Sequence, residues 1–443
     1  MQDSASLKIL LIFQCYPPFN VIGSVRAAQL AAYLEGHGHE LRIVAGDGLP
    51  FPPTLDVPPL KAKIFRAIFR SIERPIDFGR KLLGTVETSG GSATVSRDGM
   101  MIRAVRAYRA LFAIPDNQVG WYPAAAGAAS RATKDWTPEV IISSALPFTS
   151  HLVAAGIVRD TGAPWIAEYR DLFSGNPYAD IPEWRQWLDR QIERRIMTRA
   201  TAIVGLTPQM SEELAAMHGK PTLTVMNGFD VRNSSSGPPV ETGRHLRILY
   251  TGIVYPGRRD PRPLFEAIRS MGERGRRVIV DFYGQDLRGV QATASAIGIE
   301  SQVRVHPTVS YSESLRLQAE ADILLLLLWD DPRERGTLTG KVFEYIGAAR
   351  PILSIGSLDG VASNLIRERG LGVTASHPQI IAQALDRWFD QIDSLGTVPS
   401  VSPTARQGLS RAEQFADYDK LIAEVTSQRG SGMVHHLPAG VSS

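Results

Sequence analysis

Four short stretches of this sequence gather residues able to bind anions or move protons. The first, residues 16–26, carries Gly23 just ahead of a helical pattern. A residue without Cβ there lets backbone N–H groups approach a phosphate, although a plain turn glycine would look the same. The second is Glu168-Tyr169-Arg170-Asp171-Leu172-Phe173, with Ser143-Ser144 and His151 upstream. Ionisable residues crowded at a strand end are costly to bury unpaired. They read either as an Arg170 ion pair bracing the loop or as an acidic group, Asp171 first, facing a sugar hydroxyl. His151 fits a helix-face histidine equally well. The third, residues 251–260, sets Arg258 and Arg259 beside glycine. Two guanidinium groups suit the oxygens of a diphosphate, or else they are solvated in a turn. The fourth, residues 336–351, is a Gly/Thr loop with Thr339 and Gly340 opening a helix, Lys341 in its first turn and Glu344 one turn on. The helix N-terminus favours phosphate, and Glu344 can accept hydrogen bonds from ribose hydroxyls or stand as an ordinary surface residue.

Other chemistries are poorly served. The G-x-G-x-x-G fingerprint is missing from the first loop, which argues against an NAD or FAD enzyme. Val342 follows Lys341 where a Walker A motif needs Ser or Thr. Asp330-Asp331 runs into Pro332 and an Arg333-Glu334-Arg335 sequence, and reads as a solvated loop. No His/Asp/Glu set has metal-ligand spacing, so no metal and no cofactor is expected.

These stretches need a scaffold that ends strands beside helix N-termini, and the patterning supplies one. Residues 8–13 form a continuous apolar run, as in a strand buried on both faces. A helix at 25–35 and a strand at 41–45 complete a βαβ unit. Strands at 140–144, 165–168, 202–205 and 223–226 follow, with helices at 148–158, 183–199 and 208–217. A Ser/Gly/Pro-rich stretch at 233–245 reads as a linker. A second series then begins, with strands at 246–251, 277–283, 303–306, 322–328, 351–355 and 372–374, and helices at 261–273, 289–296, 311–319, 341–349 and 361–369. The expected organisation is a first domain over 1–232 with an insertion at about 47–136. The linker, a second domain over 246–395, and a C-terminal helix with a frayed tail over 396–443 complete it. The fold class is α/β, with two doubly wound Rossmann-like domains facing a central cleft and ligands at the carboxyl ends of the strands.

The 443 residues are 44% apolar and 21% charged, a globular composition that excludes disorder, collagen and coiled coil for the bulk of the chain. Cys15 is the one cysteine, so an intrachain disulfide is impossible and a reducing cytosol is the expected home. No secretory signal is read in the polar first residues, and the longest apolar run, 323–329, is a buried strand rather than a membrane span. Net charge is +3, and residues 58–110 alone hold eleven Lys/Arg against four Asp/Glu, which leaves the remainder at −4. A local surplus of this kind argues against a general nucleic-acid surface. Within it, residues 61–74 place Ile64, Phe65, Ile68, Phe69 and Ile72 on one helical face, with Lys61, Lys63, Arg66, Arg70 and Arg74 largely on the other. This predicts a cationic helix that either lies on an anionic membrane surface through 61–83 or docks on its own domain.

Taken in order, the four stretches resemble the retaining GT-B fold glycosyltransferases of family 4. The nearest likeness is to the branch that builds bacterial surface polysaccharides, including N-acetyl-fucosaminyl transferase-like members. Residues 17–26, 143–151, 168–173, 227–230, 250–252 and 341–351 carry the resemblance. It implies a hexosyltransferase-type enzyme that moves a sugar from a nucleotide-sugar, bound mainly by the second domain, to a glycan or lipid-linked acceptor held by the first. It further implies retention at the anomeric carbon, no obligate metal, and a cytoplasmic protein peripheral to the inner face of the plasma membrane. In this picture Asp171, Arg258 and Lys341 are catalytic. Gly23, Gly252, Arg259, Thr339, Gly340 and Glu344 contact the donor, and Ser144, His151, Glu168 and Arg170 lie on the acceptor side. The family's E-x7-E motif keeps only Glu344, since position 336 is Gly336, and its first basic residue falls at Ile253. A GT-B nucleotide-sugar epimerase and an inactive nucleotide-binding membrane scaffold are the alternatives.

Overall fold

The apolar runs form two all-parallel sheets in the computed structural model, which describes residues 6–56, 59–72, 105–176, 181–231, 245–255 and 257–431. The first sheet holds β1 (Lys8–Phe13), β2 (Glu40–Asp47), β3 (Lys63–Ile68), β4 (Val140–Ala145), β5 (Trp165–Tyr169), β6 (Ala202–Gly205) and β7 (Thr222–Thr224). Their order is β3-β2-β1-β4-β5-β6-β7. The second holds β8 (Leu246–Thr251), β9 (Val278–Tyr283), β10 (Val303–His306), β11 (Ile323–Leu327), β12 (Ile352–Ile355) and β13 (Gly372–Ala375), ordered β10-β9-β8-β11-β12-β13. In both sheets the first strand in sequence lies centrally, and the strand order reverses beside it. That is the point at which open α/β sheets bind ligands. The reversals fall between β1 and β4 and between β8 and β11.

Central strands are buried on both faces. Ile9, Leu10, Leu11 and Ile12 are fully inaccessible, and so are Ile323, Leu324 and Leu325. Each such side chain contributes about 1.5–3 kcal/mol of transfer free energy, which is why the runs read without alternation. Helices cover both faces of each sheet. In the first unit, Ala27, Leu30, Ala31 and Leu34 of the Ile22–Gly36 helix pack with Phe415, Tyr418, Leu421 and Ile422 of the Arg411–Ser431 helix. In the second, Leu385, Trp388 and Phe389 of the Pro378–Leu395 helix pack with Leu264 and Phe265 of the Arg262–Ser270 helix.

The chain divides into a unit of Met1–Val225 with Phe415–Ser443, and a unit of Met226–Gln414. Residues 396–414 thus belong with the second unit and the rest of the C-terminal helix with the first. The stretch read as a linker at 233–245 lies almost wholly outside the described residues, as does the tail from 432. At the crossing, the Met226 N–H donates to Gln414 Oε1 at 2.6 Å.

The cationic helix expected over 61–74 is not what forms. Residues 63–68 are an edge strand, with Arg42 to Asp47 of β2 paired to Lys63 to Ile68. Alternation wins over the helical spacing: Phe65 and Ala67 turn toward the core, while Ile64 and Ile68 are exposed. Arg66 is drawn to the carbonyls of Gly46 and Pro17 rather than to a solvated face. Residues 73–83 of the expected membrane segment lie outside the described residues. The Tyr122–Thr133 helix, unread in the sequence, packs Ala125, Ala128, Ala129 and Ala132 in the core cluster with Ala67. Among the described residues no helix is long and apolar enough to cross a membrane.

Candidate functional site

At the reversal point of the second sheet, the end of β8 is shaped by two glycines. Gly252 has φ +129°, open to few residues other than glycine, and its N–H donates to the Tyr283 carbonyl at 2.8 Å. Gly284 lies against the Gly252 carbonyl so closely that a Cβ there would collide. A Cβ on Gly252 itself would stand 2.6 Å from Lys341 Nζ. The bare backbone of Gly252 therefore makes the space that the ammonium occupies.

Lys341 reaches that place from the first turn of the Gly340–Gly347 helix. Thr339 is the N-cap residue in extended geometry, and its side chain makes no capping bond. The first-turn N–H groups are thus left without the usual side-chain acceptor. Lys341 Nζ sits 4.0 Å from the centre of the Tyr250 ring, and Arg259 hydrogen-bonds the Tyr250 hydroxyl. Burial, then the neighbouring Arg259 charge, pushes the Lys341 amine down to about 7, with Glu344 opposing. Glu344 is half-buried one turn on, and burial raises its carboxyl. The amide of Gln318, fully buried on the Tyr311–Glu320 helix, points its Nε2 at Glu344 Oε2 (3.4 Å) and Thr251 Oγ1 (3.2 Å). Its Oε1 has no hydrogen-bond partner among the described residues.

The structure thus brings Gly252, Arg259, Lys341 and Glu344 together, with Thr339 and Gly340 opening the same helix. Tyr250 and Gln318 join them. Tyr250 stands in the sequence only as part of the 250–252 stretch, with no site role, and Gln318 is missed because it reads as a polar helix residue. Arg258 turns elsewhere. Its guanidinium stacks on Trp329 at 4.6 Å, and Arg333 covers the same ring at 4.7 Å. Asp331 holds Arg333 through two 2.8 Å bonds, which keep its carboxyl down at about 2. Asp331 is occupied by that bond and by capping the turn at Pro332, in line with a structural loop.

The reversal point of the first sheet is built differently. The Arg170 guanidinium lies flush on Gly23, at the start of the Ile22–Gly36 helix, and leaves no room for a Cβ. Its Nε donates to the Ala145 carbonyl at 3.2 Å and its Nη2 to the Leu146 carbonyl. Arg170 thus fastens the ends of β4 and β5 to the first helix and brings a cation to that helix N-terminus. Asp171 beside it is exposed, and Ser144 is buried at the end of β4.

Two of the expected acceptor-side residues face inward. Glu168 is 2% exposed and paired with Arg26 at 2.8 Å, and Arg26 also donates to the Val225 carbonyl and lies over the Phe415 ring. The ion pair in this cluster is therefore made by Arg26, not Arg170. His151 is fully buried among Phe148, Trp165 and Tyr169. The Trp165 indole donates to Ser143 Oγ at 2.7 Å, and Ser143 Oγ lies 2.8 Å from His151 Nδ1. Burial, and then His218, drives the imidazole down to about 3, so it is neutral at physiological pH. Both residues are corrected from acceptor contacts to core groups. Among the described residues no three of His, Cys, Asp and Glu are grouped to hold a metal ion.

Residues 23–228 match the model of the Glycosyl transferase 4-like domain. The fold is that of GT-B proteins. Sucrose-phosphate synthase from Thermosynechococcus elongatus is 13% identical, with 94% of this chain and 100% of that one covered, at a TM-score of 0.59. The lipopolysaccharide outer core galactosyltransferase WaaB, in its apo form, is 14% identical over 94% of this chain and 99% of its own, at 0.55. HepE from Anabaena, in complex with UDP and glucose, is 12% identical over 96% and 99%, at 0.52. No curated protein sequence matches the chain.

Proposed function

We propose that this chain, which carries a glycosyl transferase 4-like domain over residues 23–228 on a GT-B fold, transfers a hexose from a nucleotide-sugar to an acceptor with retention at the anomeric carbon. The acceptor is a growing surface polysaccharide or a glycolipid, as the lipopolysaccharide galactosyltransferase of the same fold suggests. UDP is the first donor base to try, because the HepE structure holds UDP with glucose. The observation that carries the reading is the second-unit cluster of Gly252, Arg259, Lys341 and Glu344 at a strand reversal point.

The hard step in such a reaction is the departure of a nucleoside diphosphate. Negative charge grows on the phosphate oxygen as the bond to the anomeric carbon breaks. Arg259, Lys341 and the uncapped helix N-terminus behind Thr339 and Gly340 supply fixed positive potential for that charge without a metal. Removing one such contact costs ~3 kcal/mol, about two decades in rate. The acceptor oxygen forms the new bond to the anomeric carbon, and its proton passes to the departing phosphate, so the charges balance without a protein nucleophile. Glu344 accepts from the ribose hydroxyls. In the first unit, Arg170 at Gly23 supplies a second positive helix N-terminus, and exposed Asp171 is the acid that faces the acceptor.

The test is a thermal-shift screen of the purified chain with UDP, GDP, CMP, dTDP and their sugar adducts, followed by assay of nucleotide release. One nucleotide should raise the midpoint, since a ligand bound only by the folded state stabilises it. Its sugar adduct should release that nucleotide when acceptor is added. No shift with any of them, or binding without release under every acceptor tried, refutes the reading.

A further inference from the structure

The Glu183–Met197 helix sorts its charges by side. Its interior acids face inward: Asp189 pairs with Arg185 at 2.7 Å, and Glu193 accepts from the Tyr169 hydroxyl at 2.9 Å and the Ser174 N–H at 3.2 Å. Arg185 is itself buried and donates to the carbonyls of Ala110 (2.9 Å), Ala113 (2.6 Å) and Pro115 (2.7 Å). That anchor holds residues 109–115, including exposed Leu111 and Phe112, against the helix.

What faces outward is an arc at helical spacing, Trp184, Trp187, Gln191, Arg194, Arg195 and Thr198, flanked by exposed Glu183 and Arg190. Trp184 is 49% exposed and Trp187 63%, far more than a large aromatic usually is. Gln191, Arg194, Arg195, Thr198 and Arg199 line an open depression of about 550 Å³. Arg194 and Arg195 make no ion pair among the described residues, and the one exposed acid of the helix, Glu183, stands at its N-terminal end beside the indoles, about three turns from the arginines. Two indoles and the guanidinium groups of Arg194 and Arg195 therefore share one surface, with Arg199 at its edge donating one N–H to the Ala155 carbonyl at 3.1 Å.

We propose that this arc docks the protein on an anionic lipid bilayer, with Trp184 and Trp187 entering the headgroup–acyl boundary and Arg194, Arg195 and Arg199 binding headgroup phosphates. Indole suits that boundary because one edge is polar and the rest apolar. Guanidinium groups bind phosphate oxygens in pairs, and a basic surface is drawn to anionic lipid. A second copy docked through the same face would set arginines against arginines, which charge complementarity disfavours. The surface differs from residues 61–83, where the sequence suggested a membrane helix, and it stands independently of the sugar-transfer reading.

The experiment is co-sedimentation of the full chain with vesicles of phosphatidylcholine alone and with about one third phosphatidylglycerol. Binding is expected only to the second, weakened by salt as surface charges are screened. R194Q/R195Q should lower the partition coefficient roughly 25-fold, at about five-fold per charge removed. W184A/W187A should release the protein as well. All four side chains are exposed, so both variants should keep the parent's thermal midpoint. A parent that ignores anionic vesicles, or variants that bind them as the parent does, overturns the proposal. So does a dimer in light scattering that W184A/W187A dissolves, since the face then belongs to a second copy.

Discussion

The Lys341 amine should make diphosphate binding depend on pH in one direction. Without ligand its pKa is about 7, because burial and Arg259 disfavour the charge. A diphosphate beside it favours the ammonium and raises that value. Binding therefore takes up a proton wherever the free amine is neutral and the bound one charged. With a free pKa of about 7 and a bound one near the ordinary ~10.4, uptake at pH 8 approaches ~0.9 proton. Between pH 7 and pH 9 the affinity should fall about 50-fold, or about 2.3 kcal/mol. The diphosphate itself is fully ionised across most of that window. Burial raises Tyr250 above its ordinary range, so it does not titrate there either. The assay is calorimetric titration with the nucleoside diphosphate in two buffers of different ionisation enthalpy at pH 7, 8 and 9. Lys341→Arg should flatten the pH dependence, and Lys341→Met should bind weakly at every pH. Equal enthalpies in both buffers together with a flat affinity would show that the amine does not meet the phosphates.

Three further outcomes follow from named contacts. Glu344→Ala should weaken donor binding by roughly 10- to 150-fold, as loss of a hydrogen bond to a charged acceptor of about 1.5–3 kcal/mol requires, with an unchanged circular dichroism spectrum. Unchanged donor affinity would remove Glu344 from the ribose. Arg26→Met should destabilise the protein by about 3–5 kcal/mol in denaturant titration, because it strands the Glu168 carboxylate in the core. A loss below ~1 kcal/mol would mean that water reaches the pair. His151 binds protons more weakly folded than unfolded, so its contribution is intact above the unfolded value near 6.5 and fades as pH falls toward about 3. That window spans about 5 kcal/mol at most, and His151→Leu should flatten the acid limb of the stability curve. A wild-type-like acid limb in that variant would place the acid sensitivity elsewhere.

Much of this was legible because parallel strands are buried on both faces and announce themselves as unbroken apolar runs. β1, β6, β8 and β10 fall where the patterning puts them, and so do the helices that follow them. β3 was not legible, since an edge strand keeps one face wet and its isoleucines and cations mimic a helical stripe over one turn. The Tyr122–Thr133 helix hides for a different reason: a run of small alanines shows no contrast between faces, although the alanines are what let it pack close. In the site, Lys341 and Glu344 were readable because a helix fixes their spacing. His151 and Glu168 misled because their partners, Ser143 and Arg26, are set by sheet order and a long-range contact. Charge sidedness in the Glu183–Met197 helix was equally hidden, because burial of Asp189 and Glu193 is a tertiary fact.

The Arg26 side chain has a consequence for how this chain can be rebuilt. It holds the carbonyl of Val225, the last residue before the chain leaves the first unit, and it covers the ring of Phe415, where the chain returns. The first unit's two cut ends therefore meet at one guanidinium. Across the border, the second unit's own ends are tied by the Met226–Gln414 bond. In chain terms the second unit is a cassette spliced into the first at a single doorway. Modules whose ends lie together can be exchanged without rethreading the host. On the donor-binding role proposed for the second unit, cassettes from other proteins of this fold, cut at the equivalent doorway, should change donor preference and leave the first unit's chain untouched.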